Sequence, residues 1–446
     1  MSIFSKFDIR GKYPEQINET VAYRLGVCLG QMIQGKQVII GTDIRENSQK
    51  LVNPLAFALE QAGFEVIFLE EVATEMVYYA VGSKNLSLGI QITASHNPWD
   101  ETGFKIVTDQ VVPLASSGKL EELKTLFEQN QETYANQLPQ NLKKINLNSE
   151  YAQFTASLIP DVKNLGGKVL IVSFGKAGAD LATNFFTQTK VQTRVAVLGK
   201  EKLGDSPPNP MIEANQELAK KEINEDFDLV VMLDGDSDRA MFINPQNKEV
   251  LFGDLTAALL AQSILEQKKG PIVFDIRKKM VMQMVAQKYD VDFYQAYTGY
   301  PFIKQKMRAV KAVFGGEVSG HYFYPNSFYS ENSMLSIISI LAYLKEVKLS
   351  LGEALAEFSN KIFSIPEENF DVSTYTNFSL EKLTKDLITN RPKAKVIQSD
   401  GIIVEDIDFY LNLRLSQNEP LLRLNIEARS EKTLGLIHQQ VKAFLK

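Results

Sequence analysis

Three times along this chain a short apolar run, a polar loop, an amphipathic stretch and a second apolar run follow one another. The first set is Gln37-Val38-Ile39-Ile40-Gly41, the stretch from Leu51 to Ala62, and Val66-Ile67-Phe68-Leu69. The second is Lys168-Val169-Leu170-Ile171-Val172, the stretch from Ala179 to Gln188, and Arg194-Val195-Ala196-Val197-Leu198. The third is Pro271-Ile272-Val273-Phe274, the stretch from Met280 to Lys288, and Asp292 to Gln295. Apolar runs bounded by polar loops read as strands, and the stretches between them carry helical spacing. The pattern predicts three similar α/β domains, with mixed sheets and flanking helices, rather than one large sheet. Even the loops rhyme: Thr42-Asp43-Ile44-Arg45 and Phe274-Asp275-Ile276-Arg277, a likeness short enough to arise by coincidence.

The last stretch differs. A helix is expected from Ser379, then strand-like runs at Val396 to Val404, Phe409 to Arg414 and Leu421 to Ala428. A final helix carries Leu434, Ile437, Val441 and Phe444, with His438 beside the stripe in a solvated place. This predicts a smaller α+β C-terminal domain. Expected divisions are 1–147, 148–247, 248–364 and 365–446; 446 residues are too many for one core.

The formal net charge of −6 argues against nucleic acid as the main partner, because phosphate backbones need a dense cationic face. The single cysteine, Cys28, lies on the stripe Val21, Leu25, Cys28, Leu29, Met32, after a plausible cap at Asn18, and reads as a small buried hydrophobe. No run reaches the length of a membrane span, and the first residues hold no long apolar segment. The expectation is a cytoplasmic protein with no membrane partner.

Four polar clusters interrupt the apolar runs. After Leu88-Gly89-Ile90-Gln91-Ile92 comes Thr93-Ala94-Ser95-His96-Asn97-Pro98, which sets Ser95 in a polar loop at a strand's C-terminal end, where α/β domains place ligands. Pro98 and Gly103 mark a turn, and Trp99 reads as packing. Lys105 can offset the charge of a phosphate on Ser95, or accept a proton if its pKa is depressed. The second cluster, Asp234-Gly235-Asp236-Ser237-Asp238-Arg239, follows the apolar run ending at Leu233. Its three carboxylates repel one another unless a cation joins them, and oxygen-only ligands suit Mg²⁺. Gly235 permits the tight turn, and Arg239 offers a charge-assisted contact to phosphate. The apolar residues on both sides press the turn against a core, which argues against a merely solvated acidic loop.

The third cluster is Gly315-Gly316-Glu317-Val318-Ser319-Gly320-His321. On an extended segment Glu317, Ser319 and His321 share a face. A carboxylate beside a hydroxyl suits vicinal sugar hydroxyls; the bland alternative makes His321 a structural cap. In the fourth cluster, Arg414-Leu415-Ser416-Gln417-Asn418-Glu419-Pro420, arginine, serine and loop amides can bind a dianionic phosphate, though many hairpin loops are as polar.

In this order the four clusters resemble the phosphoserine, metal, sugar and phosphate loops of the α-D-phosphohexomutase family, closest to its bacterial phosphomannomutase/phosphoglucomutase subgroup. The likeness runs from Phe7-Asp8-Ile9-Arg10-Gly11 to the final helix. It implies four domains around a central cleft, three of them related α/β units. It implies a phosphate carried on Ser95, with Mg²⁺ held by that phosphate and by Asp234, Asp236 and Asp238. The phosphoryl group would pass to a mannose or glucose monophosphate, giving a hexose 1,6-bisphosphate that turns end for end and also serves as activator. The implied catalytic set is Ser95, Lys105, Arg10 and His96, with Lys105 handling a proton. Arg239, Arg277, Tyr300 and His321 would contact substrate. Glu317 and Ser319 would read O3 and O4. Arg414, Ser416, Gln417 and Asn418 would clamp the phosphate that is not reacting. Small-molecule hexose phosphates are the implied partners of a monomer or homodimer.

The chain departs from the family pattern at Tyr300, where histidine is usual, at Arg277 for lysine, at Glu331-Asn332-Ser333 for Asp-Asp-Gly, and at Gln417-Asn418 for Asn-Thr. These imply altered sugar contacts, with the phosphoserine and metal loops intact. Contacts at O3 and O4 accept mannose and glucose alike, because the two differ only at C2. Phosphoglucosamine mutase is the alternative activity, disfavoured by Val318 where glutamine is usual. A sugar-phosphate-binding protein without turnover is the alternative of another class, suggested by Tyr300. A hydrolase using Ser95 and His96 is disfavoured, since neighbours on an extended segment point apart and no orienting acid is evident.

Overall fold

The computed structural model describes residues 2–373, 379–389, 391–415 and 421–445. The apolar runs form strands where the pattern places them. In the first repeat, strands Ile9–Lys12 (β1), Gln37–Thr42 (β2), Glu65–Glu71 (β3), Leu88–Ile92 (β4) and Glu101–Thr108 (β5) lie in the order β1-β5-β4-β2-β3. β2 runs parallel to β3 and β4, and β5 returns antiparallel along β4. In the second, Gly166–Ser173 (β6), Lys190–Val197 (β7), Leu229–Leu233 (β8) and Ala240–Ile243 (β9) repeat the plan: β6 is parallel to β7 and β8, and β9 is antiparallel to β8. In the third, Ile272–Asp275 (β10) is parallel to both Phe293–Ala296 (β11) and Phe314–Gly316 (β12). In each repeat the loop leaving the third parallel strand holds one polar cluster. Ser95 follows β4, the aspartates follow β8, and Glu317 and Ser319 follow β12, ahead of Tyr322–Tyr324 (β13). One topological position is used three times.

Burial explains the apolar runs. Val38, Ile39, Ile40, Leu88, Ile90 and Ile92 are fully buried, as are the central residues of β6, β8 and β10. Helix Glu19–Met32 (α1) starts where Asn18 accepts from the Val21 N–H at 3.1 Å. Leu25, Cys28 and Leu29 sit in its core, and burial pushes the Cys28 thiol up, as suits a packing residue.

Two local expectations are corrected. The run from Val396 to Val404 is two strands, Lys395–Ser399 and Gly401–Glu405, paired antiparallel. Gly401 takes a φ of +86° at the reversal, which a side chain would resist. Gly103 lies inside β5 rather than in a turn. A Cβ there would strike the Ile9 carbonyl, so this glycine lets β1 approach β5 closely.

The chain divides into two compact units, Met1–Leu251 with His321–Val347, and Phe252–Gly320 with Lys348–Lys446. In the first, helix Ser333–Val347 packs on β8, β9 and helix Asn148–Ser157. Its start is tied to helix Thr74–Lys84, because Glu75 accepts from the Ser333 N–H at 2.6 Å and from Ser333 Oγ at 2.9 Å. In the second unit, the third sheet's β10, β11 and β12 accompany a C-terminal antiparallel sheet. Leu383 and Leu387 of helix Leu380–Ile388 and Ile437 and Val441 of helix Glu431–Phe444 share one buried cluster with Leu411, Leu424 and Ile426 of that sheet. His438, expected in solvent, pairs with Glu368 at the side of this sheet. Among the described residues no helix is long and apolar enough to cross a membrane.

Glu75 gives the fold a pH signature. Burial, with a smaller push from Asp238, raises its carboxyl from 4.5 to about 8, against the pull of the Ser333 donors. Between those values the folded chain holds a proton that the unfolded chain has released, so stability falls as pH rises through the window. Glu75→Gln keeps an acceptor for Ser333 and removes the titration. In metal-free buffer, its urea midpoint should decline less than that of the parent between about pH 5 and about pH 8. Equal declines would contradict this account.

Candidate active site

Ser95 is buried and has a φ of 54°, a left-handed turn that costs a residue with a side chain roughly 1 kcal/mol or more. Its N–H donates to Thr93 Oγ1 at 2.7 Å. Arg10 donates from Nη1 to the Ala94 carbonyl at 2.5 Å and to Asn97 Oδ1 at 3.2 Å. The turn folds the chain back on itself, so Ser95 Oγ and His96 Nδ1 meet at 3.0 Å. The expectation that these neighbours point apart assumed an extended segment and fails for that reason. No hydrolase triad results, however. His96 Nε2 faces Arg239 Nη2 at 3.4 Å, where a triad needs an acid. A guanidinium only donates, so Nε2 accepts and Nδ1 carries the hydrogen. Burial, then the Arg239 and Arg10 charges, hold the imidazole pKa well below 6.5. His96 is therefore a neutral donor toward Ser95 Oγ.

The acidic cluster is the hairpin loop between β8 and β9, closed where Leu233 pairs with Ala240. Carboxylate oxygens of Asp234, Asp236 and Asp238 lie within 4.8 Å of one another, and all three residues are buried. Ser95 Oγ donates to Asp234 Oδ2 at 3.0 Å. Lys105, on β5, reaches Asp236 Oδ2 at 2.7 Å and Asp238 Oδ2 at 2.5 Å. Burial pulls its pKa down, but Asp236 and Asp238 outweigh burial and hold it above the usual lysine value. The condition for Lys105 as a proton acceptor, a depressed pKa, is not met while those carboxylates hold it. Asp234 is pushed up to about 7 by burial and by the other two aspartates. Asp238 is held low despite burial, through Lys105 and His321. Gly235 has a different job from the one expected. A Cβ there would lie 2.8 Å from both Pro208 Cγ and the Ser95 carbonyl, so glycine is needed for the two loops to touch.

Two contacts on this loop were not foreseen. Thr74 donates from Oγ1 to Asp236 Oδ2 at 2.7 Å and from its N–H to the Asp236 carbonyl at 3.0 Å. Nothing in the sequence near Thr74 signals this. His321 Nε2 lies 3.2 Å from Asp238 Oδ1, which joins it to the acidic loop. Asp236 Oδ2 thus has two donors, while Asp236 Oδ1 is buried without a hydrogen-bond partner among the described residues. Three oxygen ligands with one such oxygen fit a hard divalent cation. Trp99 packs against the core of the second sheet and donates to the Ser206 carbonyl at 2.8 Å.

In the second unit, Ser319 Oγ donates to Glu317 Oε2 at 2.9 Å, and Glu317 Oε1 accepts from the Gly299 N–H at 2.9 Å. The pair meets through a turn at Gly320, φ 89°, rather than along the extended segment expected. Arg277 closes on Asp275 at 2.7 Å and lies 3.9 Å from Glu367. Tyr300 begins helix Tyr300–Val310, with Lys304 over its ring. Arg414 lies 3.6 Å from Asp400, and burial with the nearby Arg277 charge lowers its pKa. Ser416, Gln417 and Asn418 lie outside the described residues.

Residues 1–134 match the family model described as phosphoglucomutase/phosphomannomutase, alpha/beta/alpha domain I, and residues 252–362 match domain III of the same family. A phosphomannomutase of Methanocaldococcus jannaschii is 30% identical over 99% of this chain and 97% of its own length. The chain belongs to this family. It is a phosphohexomutase, an intramolecular phosphotransferase. The fold agrees: a phosphoglucomutase/phosphomannomutase family protein from Burkholderia thailandensis superposes with a TM-score of 0.83 at 24% identity, covering 100% of this chain and 97% of that one. An N-acetylphosphoglucosamine mutase from Aspergillus fumigatus, solved with glucose 1,6-bisphosphate, superposes at a TM-score of 0.58 with 12% identity over 99% and 94% of the two chains.

If the acidic loop of this phosphohexomutase holds a divalent cation, Asp236→Asn keeps an acceptor for Thr74 and Lys105 but weakens the site. Calorimetric titration with Mg²⁺ should show affinity at least ~10-fold lower with the fold retained by circular dichroism. Unchanged Mg²⁺ affinity would remove Asp236 from the ligand set.

Proposed function

We propose that this phosphohexomutase carries its phosphoryl group on Ser95 and interconverts the 1- and 6-phosphates of mannose or glucose through a hexose 1,6-bisphosphate. The observation that carries this reading is Ser95 Oγ at 3.0 Å from Asp234 Oδ2, with Lys105, Arg10 and His96 gathered around it. A hydroxyl meant for acyl transfer needs a base. A hydroxyl meant to hold phosphate needs donors, cations and a metal site, and Ser95 has His96 beside it, Arg10 on its loop and the acidic cluster with Lys105 in reach. Mg²⁺ bound by the phosphate and by Asp234, Asp236 and Asp238 would neutralise the transferring oxygens.

The chain's own residues do the rest. Arg10 fixes the loop at Ala94 and Asn97, and His96 donates from Nδ1 toward the seryl oxygen. As the phosphoryl group leaves Ser95 Oγ for a sugar hydroxyl, that hydroxyl must lose its proton. Lys105 is the candidate to take it. With a metal cation held by Asp236 and Asp238, Lys105 would lose the charges that now hold its own proton, would release that proton to solvent, and would then be free to accept the sugar's. Arg239 and His321 would meet substrate. In the other unit, Glu317 and Ser319 form a carboxylate–hydroxyl pair suited to O3 and O4, and Tyr300 and Arg277 belong to that same unit. Arg414, with Ser416, Gln417 and Asn418, would hold the distal phosphate. The division into four domains at 147, 247 and 364, the cytoplasmic location and the monomeric or dimeric state belong to the same reading.

Intact-mass measurement after incubation with glucose 1,6-bisphosphate should find one added phosphate on the parent and none on Ser95→Ala. Phosphate persisting on the alanine variant would refute the assignment.

A further inference from the structure

The rhyme between Asp43-Ile44-Arg45 and Asp275-Ile276-Arg277 is structural. Each comes at the end of the strand that has a parallel neighbour on both sides, β2 or β10. In each, the arginine N–H donates to aspartate Oδ1, at 3.0 Å and 2.8 Å, and the guanidinium closes on Oδ2, at 2.5 Å and 2.7 Å. In each, the same Oδ2 accepts from the loop that leaves the repeat's third parallel strand, β4 or β12, which lies beside it in the sheet. For Asp43 the donor is Thr93 Oγ1 at 2.7 Å; for Asp275 it is the Val318 N–H at 2.8 Å. One clasp thus holds the Ser95 loop, and the other holds the loop of Glu317 and Ser319. The second repeat has Phe174-Gly175-Lys176 at this place, with no carboxylate to form a clasp.

The first clasp grips its loop on both sides of Ser95. Upstream, Thr93 Oγ1 passes its hydrogen to Asp43 and accepts the Ser95 N–H at 2.7 Å, which uses both capacities of the hydroxyl. Downstream, Arg45 Nη2 donates to the Asn97 carbonyl at 2.6 Å. Asp43 and Arg45 are 0% and 2% exposed, and the phosphoryl chemistry does not touch them. A buried ion pair is a poor source of stability by itself. A left-handed serine persists only where its surroundings impose it.

We propose that Asp43 and Arg45, acting through Thr93 and the Asn97 carbonyl, are positioning residues that hold Ser95 Oγ in line for phosphoryl transfer. The inference rests on Ser95 as the phosphate carrier. It assigns Thr93 the link in the relay: without its hydroxyl, Ser95 N–H loses its acceptor and the seryl oxygen drifts.

Three variants test it: Thr93→Val, Thr93→Ser and Arg45→Lys. Each is assayed for kcat and KM with a hexose phosphate, for phosphate on Ser95 by intact mass after glucose 1,6-bisphosphate, and for its unfolding midpoint. Thr93→Val should lose roughly 10²-fold in kcat, the cost of a misplaced reacting group, with KM changed by no more than about twofold. Thr93→Ser, which keeps the hydroxyl, should restore most of the rate. Arg45→Lys keeps the charge beside Asp43 but cannot hold both partners, so its kcat should fall in the same way. Wild-type kcat in Thr93→Val overturns the proposal, as does a loss that Thr93→Ser fails to restore. If Thr93→Val does not fold, wild-type kcat in Arg45→Lys overturns it and a kcat loss at constant KM supports it. A parent protein that takes up no phosphate on Ser95 refutes the carrier reading first and the clasp with it. A parent that is phosphorylated, beside variants at full rate, refutes the clasp alone.

Discussion

Asp234, Asp236 and Asp238 bring their oxygens within 4.8 Å of one another inside one buried hairpin loop. At an effective dielectric of about 20, two unit charges 4 Å apart cost ~4 kcal/mol, and three such charges cannot stand unopposed. The surroundings answer that repulsion from separate parts of the chain. Lys105 comes from β5, Thr74 from the start of a helix, Arg239 from the loop's own end and His321 from beyond residue 320. Ser95 is placed by the same demand, since its hydroxyl donates to Asp234. The first two sheets therefore meet where their loops share a charge problem.

The contact between those loops is made of backbone. Gly235 approaches the Ser95 carbonyl and Pro208, while Gly175 approaches the Gly235 carbonyl so closely that a Cβ would lie 2.6 Å from it. Side chains are excluded there, which lets the two loops close directly on each other. This is why a hydroxyl and a carboxylate 139 residues apart in sequence can sit within one hydrogen bond of each other.

The elements most legible in the sequence were those set by burial alone. All five residues of β8 are buried, and so are Val38, Ile39 and Ile40 of β2, so both runs read directly as strands. The acidic loop was legible too, because its three aspartates stand close together in the chain. What stayed hidden depends on partners far off in sequence or on one dihedral angle. The Ser95–His96 contact follows from a single left-handed turn. The raised pKa of Lys105 follows from carboxylates 131 and 133 residues away, and the role of Thr74 from one 162 residues away. The reversal at Gly401, by contrast, has its signal in the chain: Asp400-Gly401 is a hairpin pair standing between Val396-Ile397 and Ile402-Ile403.

The first unit is interrupted: residues 252–320 leave it, and the segment from His321 to Val347 returns to complete it. That segment brings His321 to Asp238, Ser333 to Glu75, and a helix onto β8 and β9. A chain emerging from the ribosome in order has therefore released every aspartate of the acidic loop well before the helix that covers its strands. Until then β8 and β9 show an apolar face, and the nascent first unit is a client for whatever shields such surfaces during synthesis.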